Sequence, residues 1–155
     1  MERWCYKKLN LPKDYCGLLA KDWNDEGAKA FKAFTKEIDM ISYLEENKGK
    51  NLYEVIDGNK PCMLYFDIDR GDTIYNEDRV ISSFLNVLDN FLSENFGIRG
   101  LTVGENVHIC TATTDSKVSF HVVAHVKIKS VSILKNIVVL LIEKLISKQS
   151  ETPRV

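Results

Sequence analysis

Two stretches of the chain alternate apolar and polar side chains with a period of two. Along Cys62-Met-Leu-Tyr-Phe-Asp-Ile-Asp69, Leu64, Phe66 and Ile68 fall on one side of an extended backbone, and Tyr65, Asp67 and Asp69 on the other. Between residues 117 and 126 the even positions are Val118, Phe120, Val122, Ala124 and Val126, and the odd ones Lys117, Ser119, His121, Val123 and His125. Each stretch predicts a strand that buries one face and keeps polar chemistry on the other. Leu52 to Ile56 reads as a further strand, joined to Cys62–Asp69 through a turn at Asp57-Gly58-Asn59-Lys60. Val107 to Thr113 reads as another, leading through Thr114-Asp115-Ser116 into Val118–Ile128.

Helical spacing accounts for much of the rest. Asn24 reads as the N-cap of a helix over residues 25–36, with acids in its first turn and Phe31 and Phe34 to pack. A short helix over 39–47 stops at Gly49. Asn76 or Asp78 caps a helix striped by Val80, Ile81, Phe84, Leu85, Leu88, Phe91 and Leu92, and Gly97 and Gly100 end it. A last helix starts at Ser130 or Ser132 and runs to about Ser147; it is apolar on most sides and is expected to be well buried. Residues 1–22 read as an irregular N-terminal segment and 23–155 as a domain. The order ααββαββα predicts an α/β fold, a small mixed sheet with packed helices.

Composition narrows the function classes. Of 155 residues 45% are hydrophobic and 28% charged, which fits a folded globular chain rather than a disordered or fibrous one. A formal charge of −1 argues against coating nucleic acid by bulk electrostatics. The stretch 117–148 nevertheless carries six lysines (117, 127, 129, 135, 144, 148) against Glu143, so one edge of the fold is expected to be positive, or simply to be a solvated helix surface. Cysteines 5, 16, 62 and 110 have no zinc-ribbon spacing and read as reduced, mostly buried thiols. No apolar run reaches membrane-span length, and MERWCYKKLN lacks the apolar core of a secretory signal. An intracellular protein with no membrane partner is expected.

The polar strand faces carry the candidate chemistry. Asp67 and Asp69 sit about 6.5–7 Å apart along their strand, a spacing at which two carboxylates suit a hard cation, Mg²⁺ or Mn²⁺, or stand as two solvated acids at a strand end. Lys117, Ser119 and His121 line up a cation and two donors that suit phosphate oxygens. His121 is alternatively a structural histidine. His125 lies about 13 Å further along by strand rise, too far to form a metal pair with His121, and His108 reads as structural for want of polar company. If the two polar faces meet, they form a nucleoside-triphosphate site; no GxxxxGK[ST] occurs, so a P-loop ATPase is excluded.

Leu52-Tyr-Glu-Val-Ile56, Pro61-Cys-Met-Leu-Tyr-Phe-Asp-Ile-Asp69 and Lys117-Val-Ser-Phe-His-Val-Val123, in that order, resemble the archaeo-eukaryotic primase superfamily. The likeness is to the PrimPol branch and to the primase parts of large DNA virus primase-helicases, and it spans residues 28 to 146. It implies the N-terminal part of a primase-type catalytic core that carries out template-directed nucleotidyl transfer with Mg²⁺ or Mn²⁺. Its partners would be a single-stranded DNA template, (d)NTPs and a fused or associated helicase. Residue by residue, it implies that Asp67 and Asp69 bind metal. Ser119 and His121 would contact the phosphates of the incoming nucleotide, with Lys117 close by. The family also has a third acid in a later strand. Glu143 and Glu151, in or just after the last helix, are poor substitutes for it, so the chain ending at Thr152-Pro-Arg-Val155 reads as part of a longer enzyme. Two other readings remain: a metal-dependent nuclease or phosphohydrolase using Asp67, Asp69 and His121, and a non-catalytic α/β interaction module.

Overall fold

The computed structural model describes residue 4 and residues 11–24, 26–70 and 76–150. Cys5, most of the expected irregular segment before residue 11, and Glu151 with the tail to Val155 lie outside the described residues. The described chain is a small α/β fold of two three-stranded antiparallel sheets and three helices. It divides into two compact units, Met1–Asp57 and Gly58–Val155.

The first unit holds β1 (Gly17–Asp22), β2 (Lys29–Phe34), α1 (Glu37–Glu46) and β3 (Tyr53–Glu54), with the strands in the order β2-β1-β3. Two expectations are corrected here. Gly17–Asp22 lies within the segment read as irregular, yet it is the central strand of this sheet. The helix expected over 25–36 is instead β2, paired with β1 from Gly17↔Phe34 to Asp22↔Lys29. The alanines and lysines of Lys-Ala-Phe-Lys-Ala-Phe favour a helix locally, but pairing with β1 overrides that preference. Asn24 does cap, though it caps a hairpin: its Oδ1 accepts from Ala28 N at 3.0 Å, and Trp23 N donates to Ala28 O at 2.6 Å. Across the outer positions Lys29 pairs with Asp22, and Tyr53 Oη donates to Asp22 Oδ2 at 2.7 Å.

The second unit runs β4 (Cys62–Arg70), α2 (Glu77–Phe96), β5 (Val107–Thr111), β6 (Val118–Ile128) and α3 (Val131–Ser150). Its strand order is β4-β6-β5, so β6 lies between two strands and is antiparallel to both. The expected mixed sheet is thus two separate sheets in which neighbouring strands run antiparallel. The α2 crossover carries the chain from β4 past the place β6 will fill, and the hairpin at 112–117 then returns β6 into the gap. Asn76 is the N-cap of α2, accepting from Arg79 N, and Gly97 closes the helix in the left-handed region at φ 67°.

The core lies between this sheet and the two helices. Leu64 and Phe66 from β4, with Phe120, Val122 and Ala124 from β6, pack against Phe84, Leu88, Phe91 and Leu92 of α2 and Leu134, Ile137 and Leu141 of α3. Phe84 stands edge-on to both Phe66 and Phe120. The last helix departs from expectation: only one side of it is buried, while Val139, Leu140, Ile142 and Ile146 are exposed. Among the described residues no helix is long and apolar enough to cross a membrane.

Candidate functional site

Packing of one sheet face against α2 and α3 leaves the other for polar side chains, and the register decides which of them meet. From Leu64↔Ala124 onward β4 and β6 pair without interruption, which sets Asp67 opposite His121 and Asp69 opposite Ser119. Directly opposed residues in an antiparallel pair project to the same side. The aspartate face and the lysine-serine-histidine face are therefore one surface.

His121 Nε2 lies 3.2 Å from Asp67 Oδ1, and Lys117 Nζ donates to Asp69 Oδ1 at 3.2 Å. Ser119 stands opposite Asp69 in the register, with its hydroxyl as a donor toward the carboxylate. These donors, Ser119 first and Lys117 second, hold the Asp69 carboxyl below its ordinary value, against a smaller opposing effect of desolvation. Both aspartates stay open to solvent, with side chains 69% and 57% exposed. Ser119 is buried.

Thr113 is a contributor that the strand pattern did not single out. Its Oγ1 accepts from Ser119 N at 3.1 Å and donates to Ser119 O at 3.2 Å, fixing the backbone from which Ser119 projects. The adjoining tight turn is closed by Thr114 N donating to Lys117 O at 2.9 Å. Lys117 is thereby held at the start of β6, above Asp69.

The same face continues onto β5. Cys110 is opposite His121 and His108 opposite Val123. Two expectations change as a result. Cys110 and Cys16 are exposed and Cys62 half-buried, so the described cysteines are not mostly buried. His108 does have polar company: its ring centre is 4.8 Å from that of His125. All three histidines of the chain thus lie on one face of one sheet, and all are exposed. From the sequence alone His108 could not be placed there, because the β5–β6 register depends on the hairpin.

Two exposed carboxylates offer oxygens on one face, each balanced by a surface cation or imidazole that can give way. Among the described residues no three His, Cys, Asp or Glu side chains gather into a metal-binding group. Two carboxylates alone do not make a closed protein cage; an ion held there would take its remaining ligands from outside the described residues.

No protein-family model matches the chain, and no curated protein matches it in sequence.

Proposed function

We propose that this face is the nucleotide site of a DNA primase-polymerase, an enzyme that joins nucleoside triphosphates along a single-stranded DNA template. The observation that supports this most directly is the register, which pairs Asp67 with His121 and Asp69 with Ser119. Carboxylates for a metal ion and donors for phosphate stand side by side on adjacent strands, backed by a packed core that keeps both strands rigid.

In this reading Asp67 and Asp69 hold Mg²⁺ or Mn²⁺, which would neutralise triphosphate charge and acidify the attacking 3′-hydroxyl. Lys117 supplies a point charge for the phosphates, placed by the turn at the start of β6. Ser119 donates its hydroxyl, oriented by the Thr113 clamp on its backbone. His121, whose Nε2 lies 3.2 Å from the Asp67 carboxylate that orients the ring, donates to a phosphate oxygen in this reading rather than acting as a base.

The test is template-dependent synthesis. With single-stranded DNA, Mn²⁺ and labelled nucleotides, the longer enzyme of which this chain reads as part is expected to make oligomers that follow the template, and Asp67→Ala or Asp69→Ala to abolish them. Product that survives both substitutions overturns the reading, as does wild-type protein that makes none. Degradation of the template without any use of nucleotides would favour a metal-dependent nuclease instead.

A further inference from the structure

The contact between His108 and His125 lies apart from the proposed nucleotide site. His125 is four residues beyond His121 on β6, about 13 Å along the strand, and His108 reaches toward it diagonally from β5. A bulge lies beside this contact. Met63 pairs with Lys127 but Leu64 with Ala124, so His125 and Val126 have no partner in β4. On its other side β6 stays tied, with His125 N donating to Asn106 O at 2.8 Å. A bulge re-aims the side chains it carries, and here it sits at the residue whose imidazole meets His108.

The separation of the rings matches chelation. A divalent ion bound about 2.0–2.1 Å from one nitrogen of each imidazole lies about 3.2 Å from each ring centre. Nitrogens subtending about 90–110° at the ion then place the ring centres roughly 4.5–5.2 Å apart. The observed 4.8 Å falls inside that window, and the rings are tilted by 53° rather than stacked flat. Both residues are exposed, so an ion can reach them from solvent.

We propose that His108 and His125 form a two-histidine site for a borderline divalent cation, Zn²⁺ foremost, with Ni²⁺ and Cu²⁺ as chemical equivalents. Imidazole nitrogens favour these ions, whereas the Asp67–Asp69 carboxylates favour Mg²⁺ and Mn²⁺, so one sheet face carries two sites of different hardness. Two protein ligands leave the remaining positions of the ion to water or to a donor from another molecule. This site does not depend on the nucleotidyl-transfer reading.

The experiment is calorimetric titration of EDTA-treated protein with ZnCl₂ at pH 7.5, repeated with excess Mg²⁺. Wild-type protein is expected to bind one ion at this site, and Mg²⁺ is expected not to displace it. His108→Ala and His125→Ala should each weaken that binding by at least about tenfold, with circular dichroism unchanged. Cys110→Ser, and Asp67→Asn combined with Asp69→Asn, should leave it within about twofold of wild type. Absence of Zn²⁺ binding overturns the proposal. So does binding that persists in both histidine variants, or that is lost with Cys110 or the aspartates.

Discussion

Asp67 and His121 face each other as a directly opposed pair across β4 and β6, with His121 Nε2 3.2 Å from Asp67 Oδ1. Their meeting is a consequence of register. A slip of one residue would turn the aspartates toward α2 and α3 and bring Leu64, Phe66 and Ile68 out into water. Burial of Leu64 and Phe66 on β4 and of Phe120 and Val122 on β6 therefore holds the polar pair in place.

Adjacent residues of β6 should consequently respond in opposite ways to truncation. Phe120 is fully buried against Phe84. Phe120→Ala is expected to destabilise the protein by about 3–5 kcal/mol in urea denaturation. His121→Ala removes an exposed side chain and should leave the urea midpoint nearly unchanged while weakening nucleotide binding. Equal losses of stability at the two positions would mean that β6 does not divide into a packed and an open face.

Asp69 should titrate low, and for identifiable reasons. With its folded-state value depressed, its contribution to stability is complete above the ordinary carboxylate range and is lost as pH falls through the folded value. Ser119→Ala is expected to move the Asp69 carboxyl back up toward its ordinary value, and Lys117→Ala to do so by a smaller amount. Carbon-detected NMR titration of the side-chain carboxyl reads both shifts. An Asp69 value that ignores both substitutions would show that neither side chain reaches it.

In the first unit Asp22 accepts from Lys29 and Tyr53, which lowers the Asp22 carboxyl and raises the Tyr53 phenol. Asp22→Asn should bring the Tyr53 phenol down, as read by ultraviolet absorbance in alkaline titration. Because the folded phenol is raised, its contribution to stability is present below the unfolded value and is lost as pH climbs through the folded one. The group is exposed, so the thermal midpoint near neutrality should barely move.

Gly97 ends α2 with φ at 67°, and a Cβ there would meet no neighbouring atom. The cost of Gly97→Ala is thus backbone strain alone. It should be about 1 kcal/mol by chemical denaturation, without change at the polar surface of β4, β6 and β5.

The second unit follows closely from sequence pattern; in the first, α1 and the short β3 do, but β1 and β2 do not. Its strands alternate because one face is covered by helices, and α2 has a capping asparagine, a continuous apolar stripe and a terminal glycine. Those are local signals. Residues 29–34 carry the opposite local signal: a repeated Lys-Ala-Phe triplet, with its two phenylalanines three apart, suits a helix, and pairing with β1 makes it extended. For α3 the composition is misleading, since an apolar sequence on all sides does not say which side has a partner, and the side carrying Val139, Leu140 and Ile142 is exposed among the described residues. At the site, alternation put Asp67 with Asp69 and Ser119 with His121, each pair within its own strand. That the two pairs share a surface, and that Thr113, Cys110 and His108 border it, depends on strand order and hairpin register, which period alone does not encode.

The most direct test of the account is paramagnetic broadening of backbone amides by Mn²⁺ in the presence of a nucleoside triphosphate. Signal loss is predicted to centre on residues 67–69 of β4 and 119–121 of β6, to spare the core-facing turns of α2 and α3, and to vanish when Asp67 and Asp69 are both changed to alanine. Broadening centred elsewhere, or persisting in the doubly substituted protein, would contradict it.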